Sequence, residues 1–249
     1  MYGRNGEAPV IVLAPQSPGD CFYMAFEACR IALEYMMPVI LLSDGYLANG
    51  SEPWEIPNFD SLPKIKTRKV QSVSEDFMPY QRDDKTLARP WAIPGTKGLE
   101  HRIGGLETED GTGDISYEPE NHEHMIRLRT KKVEAVSQTV PDIVPFGDDS
   151  GDILIVGWGS TYGAIRSAVE TLREEGKSVS HVQLRYLNPL PKNLGDVLLK
   201  YKKVIVPELN LGQLNSILRS KYLVDSIGLN KIKGKPFTVE EIYNKIIGD

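Results

Sequence analysis

Three stretches of the sequence carry side chains able to do chemistry. The first is Pro207-Glu208-Leu209-Asn210-Leu211-Gly212-Gln213, which follows an apolar run and leads into a helical one. In open α/β sheets ligands gather outside the carboxyl ends of the strands, which makes Glu208, Asn210, Gly212 and Gln213 candidates for a partner interface or a ligand edge. The same residues would equally cap the following helix, offering oxygens to its free N–H groups. The second stretch is Gly157-Trp158-Gly159-Ser160-Thr161-Tyr162-Gly163, set between a strand and a helix where a dinucleotide loop belongs. The third glycine of that fingerprint would fall at position 162, which is Tyr162. The next apolar run, Val179 to Tyr186, ends without the Asp or Glu that would hold a ribose. These glycines therefore read as a tight turn against a neighbouring strand or subunit.

The third stretch holds histidines and carboxylates, at Glu100-His101 and His122-Glu123-His124. Residues two apart on a helix point to different sides, so His122 and His124 do not readily share an ion, and no metal is expected. The three histidines read as hydrogen-bonded structural residues. Cys21 and Cys29 fall on one predicted helix, about 12 Å apart along its axis, which is too far for a disulfide. Two thiols are also too few for an iron–sulfur cluster, which takes four ligands. A reducing cytoplasmic compartment is the natural expectation. The sequence has no Gly-x-Ser-x-Gly elbow, no Walker loop and no paired carboxylates in a legible context. On motifs alone it is an α/β protein with no catalytic residue to name.

The elements that must position these groups fall into three parts. Pro9 to Ala14 reads as a buried strand. Ser17-Pro18-Gly19-Asp20 is a helix start, with Ser17 as cap, Pro18 at the first position and Asp20 near the positive end. Phe22, Ala25, Cys29, Ala32 and Met36 give that helix one apolar face, Pro38 stops it, and Val39 to Leu42 is a second strand. Residues from Asn49 to Gly151 are rich in proline, glycine and acidic clusters, with one helical stretch from His122 to Ala135. From Asp152 the pattern is regular again. Strands are expected at Ile153–Val156, Val179–Tyr186 and Lys203–Val206. Helices are expected at Ser160–Glu175, Leu211–Leu223 and Thr238–Ile247, the last opened by a Thr238/Glu241 capping box. This describes a parallel α/β domain. The two N-terminal strands and their helix leave a sheet edge and an apolar face open, so they are expected to need further structure, and self-association through residues 9–45 would also supply that cover.

Composition excludes more than it selects. At 249 residues, 41% hydrophobic, 25% charged and net charge -5, the chain is long enough for one or two globular domains. The acidic balance gives no electrostatic case for nucleic acid or an anionic membrane. No apolar run approaches the length of a membrane span, and a soluble protein is expected.

Several segments taken together resemble one family. Gly3-Arg4-Asn5-Gly6-Glu7-Ala8-Pro9, Val12 to Phe22 (VLAPQSPGDCF) and Pro38 to Tyr46 (PVILLSDGY) resemble the alpha subunit of 2-oxoglutarate:ferredoxin oxidoreductases. Arg89-Pro90-Trp91-Ala92-Ile93-Pro94-Gly95, Gly98-Leu99-Glu100-His101 and Asn121-His122 are similar to that subunit's middle segment. The stretches from Ile155 to Gly163 and from Pro207 to Gln213 look like its second domain. The resemblance covers nearly the whole chain.

The resemblance implies an enzyme that decarboxylates 2-oxoglutarate oxidatively to succinyl-CoA, with coenzyme A as acyl acceptor and ferredoxin as electron acceptor. It implies thiamine diphosphate and Mg between this alpha subunit and a beta subunit, and an iron–sulfur cluster on another subunit or domain. Residues 1–50 then look like the C-terminal end of the pyrimidine domain, 51–150 like an irregular linking segment, and 151–249 like a transketolase C-terminal-like α/β domain. The family's Tyr-Pro-Ile-Thr-Pro segment, its cofactor-activating glutamate and its Arg-Gly-Gly-Pro-Ser-Thr-Gly stretch belong upstream of the residues given. The chain is therefore expected to be part of a longer subunit, to be inactive and to bind no cofactor alone, and no catalytic role is carried onto Asp44 or Glu208. A pyruvate or branched-chain 2-oxoacid enzyme, or a non-catalytic interaction module derived from the subunit, are the alternatives.

Overall fold

The computed structural model describes residue 1, residue 3, residues 5–70 and residues 77–248. Arg4, part of the first resembling segment, lies outside the described residues. In chain order the elements begin with β1 (Ile11–Leu13), α1 (Asp20–Tyr35), β2 (Val39–Leu41), α2 (Gly45–Asn49), α3 (Pro119–Val136), β3 (Gly151–Trp158) and α4 (Tyr162–Glu174). They continue with β4 (Val179–Leu184), β5 (Tyr186–Asn188), α5 (Leu194–Leu198), β6 (Tyr201–Glu208), α6 (Gln213–Tyr222), β7 (Ile227–Asn230) and α7 (Val239–Ile247). The chain divides into two compact units. The first gathers Met1–Val12, Phe26–Ile40 and Ile56–Thr139, and the second Leu13–Ala25, Leu41–Glu55 and Val140–Asp249.

The second unit is organised by a parallel four-stranded sheet in the order β4-β3-β6-β7. Ile155 on β3 stands between His181 on β4 and Ile205 on β6. A strand flanked on both sides and covered on its faces is apolar along its length, and Leu154, Ile155 and Val156 are fully buried. Ile165, Ala168, Val169 and Leu172 recur at helical spacing on α4 and pack with Ile155 and Ile246 in one core. The Thr238/Glu241 capping box opens α7 as the sequence indicates, with Glu241 N–H donating to Thr238 Oγ1 at 3.2 Å and Thr238 N–H to Glu241 Oε2 at 2.9 Å.

Several expectations are corrected. The apolar run ending at Tyr186 is two strands, because Arg185 interrupts it: β4 stops at Leu184 and β5 joins a separate three-stranded sheet in the order β2-β1-β5. Within the second unit this joint is visible as Ala14 N–H donating to the Arg185 carbonyl at 2.9 Å. The strand β1 is thus central rather than half bare, and the cover expected from elsewhere comes in part from this same chain. The strand β7 was not expected; it is four residues long and contains Gly228, too little pattern for a period-2 reading. The short α2 also escapes a periodicity test, being a five-residue turn held by Asp44, whose Oδ1 accepts from the Tyr46 and Leu47 amides at 3.0 Å.

Among the described residues, the regular structure of the first unit is α3, the second half of α1, most of β1 and β2, and 3-10 turns at Phe59–Ser61 and Ser137–Thr139. Its middle stretch is tied down by isolated backbone bridges and by side chains. Arg82 Nε donates to Asp110 Oδ1 at 3.1 Å, and Trp91 Nε1 donates to the Leu33 carbonyl at 2.8 Å. Lys132, buried on α3, donates to the carbonyl of Met36 at 3.0 Å. Among the described residues no helix is long and apolar enough to cross a membrane.

Candidate functional site

Several polar side chains of the second unit lie beyond the carboxyl ends of strands. After β1 comes the turn Gln16–Asp20, which opens α1, and after β2 come Ser43 and Asp44. Asp20 is nearly covered; its Oδ2 accepts from the Gln16 amide at 3.0 Å and from Arg185 Nε at 3.0 Å, and its Oδ1 accepts from the other arm of the same guanidinium. Ser17 Oγ donates to Glu52 Oε1 at 2.6 Å, and the Gly19 amide donates to the same oxygen. A shallow pocket beside them is lined by Pro18, Gly19, Phe22, Glu52 and Trp54.

After β3 the glycine stretch turns into a short 3-10 helix and then α4. Thr161 Oγ1 closes the turn, accepting from the Trp158 amide at 3.2 Å and donating to the Trp158 carbonyl at 2.8 Å. Gly157 pairs with Gln183 of β4, and a Cβ there would fall 2.5 Å from Gln183 Oε1 and 2.6 Å from Ile165 Cδ1. Gly159 takes φ +60, and a Cβ on it would face Asp44 Oδ2 at 4.0 Å. One glycine is needed for close packing against the next strand and the other for a left-handed turn. Gln183 Nε2 donates to the Gly159 carbonyl at 3.0 Å, fixing the turn from β4. Ser160 Oγ is the buried side-chain polar atom without a hydrogen-bond partner among the described residues.

After β6 the structure brings Glu208, Asn210, Gly212 and Gln213 together at the start of α6. Glu208 is fully buried, and its carboxylate accepts from Trp158 Nε1 (3.2 Å), Asn210 Nδ2 (3.1 Å) and the amides of Leu214 (2.8 Å) and Asn215 (2.9 Å). Asn210 Oδ1 accepts from the Gly212 and Gln213 amides at 2.8 and 3.0 Å. Gly212 adopts φ 90, as the turn requires. The two side chains serve the orphan donors of the helix, the capping geometry that the sequence offered as one alternative. A negative charge at this position also complements the helix dipole.

The histidines separate. His122 Nδ1 pairs with Glu107 Oε2 at 2.8 Å, His124 Nε2 with Asp110 Oδ2 at 3.0 Å, and His101 Nδ1 with the Leu99 carbonyl at 2.7 Å. Among the described residues no three His, Cys, Asp or Glu side chains gather closely enough to hold a metal ion. The fourth histidine, His181, is buried on β4 beside Gln183, and desolvation pushes it down to about 4, so it is neutral at physiological pH. Sequence reasoning missed the Asp20–Arg185 pair, the Trp158–Glu208 contact and the Ser160 hydroxyl. Asp20 and Arg185 are 165 positions apart, and no local pattern announces their meeting.

Residues 1–120 match the thiamine-diphosphate-binding family model of pyruvate flavodoxin/ferredoxin oxidoreductases, and residues 151–242 match core domain II of pyruvate:ferredoxin oxidoreductase. The 2-oxoglutarate oxidoreductase subunit KorA of Mycobacterium tuberculosis is 57% identical over 97% of this chain. Along its length the chain is similar to subunits of 2-oxoacid oxidoreductases. It spans 37% of that mycobacterial subunit. The 2-oxoglutarate synthase subunit KorA of Methanothermobacter marburgensis is 27% identical over 99% of the chain, which covers 66% of it. Among solved structures, the 2-oxoglutarate:ferredoxin oxidoreductase from Magnetococcus marinus, with 2-oxoglutarate, coenzyme A and succinyl-CoA bound, superposes with a TM-score of 0.91 at 32% identity. That superposition takes in 100% of this chain and 43% of the other.

Proposed function

We propose that the chain is part of the alpha subunit of a thiamine-diphosphate-dependent 2-oxoglutarate:ferredoxin oxidoreductase, which oxidises 2-oxoglutarate to succinyl-CoA. The observation that carries this reading is the 57% identity, sustained over 97% of the chain, to a 2-oxoglutarate oxidoreductase subunit. The proposed partners are a beta subunit and, through the complex, ferredoxin, in the cytoplasm. Residues 1–50 would close a pyrimidine domain, 51–150 would link, and 151–249 would form the second α/β domain. The metal-bound diphosphate half of the cofactor and any iron–sulfur cluster are proposed to be held by other parts of the enzyme. What these residues supply is the rim at the strand ends, where Glu208, Asn210, Gly212 and Gln213 shape the edge presented to a partner or ligand.

The test is reconstitution of the full-length protein with its beta subunit and a coenzyme-A-dependent dye-reduction assay across a panel of 2-oxoacids. Turnover fastest with 2-oxoglutarate is the expected result. A preference for pyruvate or a branched-chain 2-oxoacid would overturn the substrate, and no turnover with any of them would overturn the enzyme.

A further inference from the structure

We propose that Arg185 is a positioning residue of this enzyme, holding the Gln16–Asp20 turn at the carboxyl end of β1 in the conformation the reaction uses. The proposal rests on the oxidoreductase reading above and adds a residue to it. Arg185 is the one residue between β4 and β5, at the point where the chain leaves the four-stranded sheet for the three-stranded one. It grips the exit of β1 twice. Its carbonyl accepts from the Ala14 amide at 2.9 Å. Its guanidinium takes both oxygens of Asp20, and Asp20 in turn accepts from the Gln16 amide at 3.0 Å. One side chain therefore sets the backbone two residues further on, through a carboxylate that is 10% exposed.

The geometry argues for precision rather than stability. The carboxylate is nearly covered while the Arg185 side chain is 37% exposed, and an ion pair that gives up part of its hydration recovers little more than its desolvation cost. A bidentate Arg–carboxylate pair adds a fixed plane and direction, which an ammonium cannot reproduce. Fixed direction is of value where the anchored backbone borders a ligand, and strand carboxyl ends are where ligands lie in open α/β sheets. The same turn carries the Ser17 hydroxyl and the Gly19 amide, both donating to Glu52 Oε1, and Ser17 Oγ in turn accepts from the Asp20 amide at 3.3 Å, so the position of Asp20 and the placement of Glu52 beside the pocket are linked.

The experiment uses the full-length alpha–beta complex and compares wild type with R185K, R185Q and D20N. Turnover with 2-oxoglutarate, thermal midpoint and amide exchange over residues 14–20 are measured on each. R185Q and D20N are expected to lose between ~10- and ~100-fold in kcat, the scale of a small misplacement of reacting groups. KM is expected to stay within about 3-fold, since the pair binds no substrate itself. R185K, which keeps the charge and loses the fork, should recover only part of the rate. Faster exchange should be confined to the turn, centred on Gln16.

Unchanged kcat in R185Q, or a rise in KM at constant kcat, would overturn the positioning role. So would a loss of rate that merely follows the loss of folded protein. Should R185Q fail to fold, D20N, which conserves volume, decides the matter with R185K. Should the wild-type complex oxidise another 2-oxoacid faster, the substrate reading falls and the same comparison is made with that acid. Exchange at Gln16 tests the anchor without reference to activity.

Discussion

The two units of the chain are held together by different means. In the second, β3 lies between β4 and β6, and buried Leu154, Ile155, Ile165 and Leu172 fill the space between sheet and helices. In the first, the described residues between 56 and 118 pair through isolated backbone bridges such as Lys69 with Trp91 and Tyr80 with Gly111, and single side chains add ties, Arg82 to Asp110 and Trp91 to the Leu33 carbonyl, while Lys132 on α3 reaches the Met36 carbonyl. Apolar burial is non-directional and distributed over many residues, whereas a side-chain tie concentrates its effect in one pair of atoms. The second unit should therefore yield to cavities and the first to the loss or titration of individual polar groups.

The largest effect is expected from a cavity in the parallel sheet. Leu172→Ala, at a fully buried position on α4, should destabilise the second unit by about 2–5 kcal/mol in chemical denaturation. A loss below that range would show that the sheet tolerates voids and that the contrast between the units is overdrawn. Next comes Glu208→Ala, which orphans the Leu214 and Asn215 amides and is expected to cost about 2–4 kcal/mol, with hydrogen exchange rising first in the opening turn of α6. Equal exchange in variant and wild type would mean that the carboxylate is not the cap.

The contrast also has a pH axis. Burial pushes Lys132 down to about 7 from its ordinary 10.5, with Arg82 and Arg89 adding repulsion. The unfolded chain holds that proton up to pH 10.5 and the folded one releases it near 7, so stability of the first unit should rise with pH between these limits. Lys132→Met should flatten the rise in denaturation midpoint between neutral and alkaline buffer. His181 in the second unit acts in a separate window. Its folded form resists protonation down to about 4, so stability present above 6.5 is lost as pH falls from 6.5 through 4. Probes reporting each unit alone should show stability rising between pH 7 and 10.5 in the first and between pH 4 and 6.5 in the second, and a single shared profile would break the comparison. The smallest effect belongs to an exposed pair on α4: Glu170→Ala removes its ion pair with Arg166 and should shift stability by less than about 0.5 kcal/mol.

The same contrast governs what could be read in advance. The repeat of Ile165, Ala168, Val169 and Leu172 and the Thr238/Glu241 box are local patterns, and α4 and α7 were legible from them. The break between β4 and β5 was not, because Leu184-Arg185-Tyr186 reads as continuous strand until Asp20 is known to hold Arg185. At the strand ends, the capping potential of Glu208 and Asn210 was visible in their distance from the following helix, while Trp158 as a donor to Glu208 was not. Side-chain ties across long separations leave no periodic trace, and that is why residues 51–150 read only as an irregular segment with one helix.

The bond from Ala14 to Arg185 also sets a timetable for synthesis. The strand β1 emerges from the ribosome long before its neighbour β5 exists, since β5 ends 175 residues after β1 (188 minus 13). At about 5–20 residues per second that is a wait of roughly 10–35 s, much longer than local helices need to form. During it an apolar strand flank stays unpaired and open to other nascent chains. Expression should therefore be sensitive to translation speed over the intervening stretch and to chaperones that cover short apolar segments, and a protein slowed there should aggregate through β1.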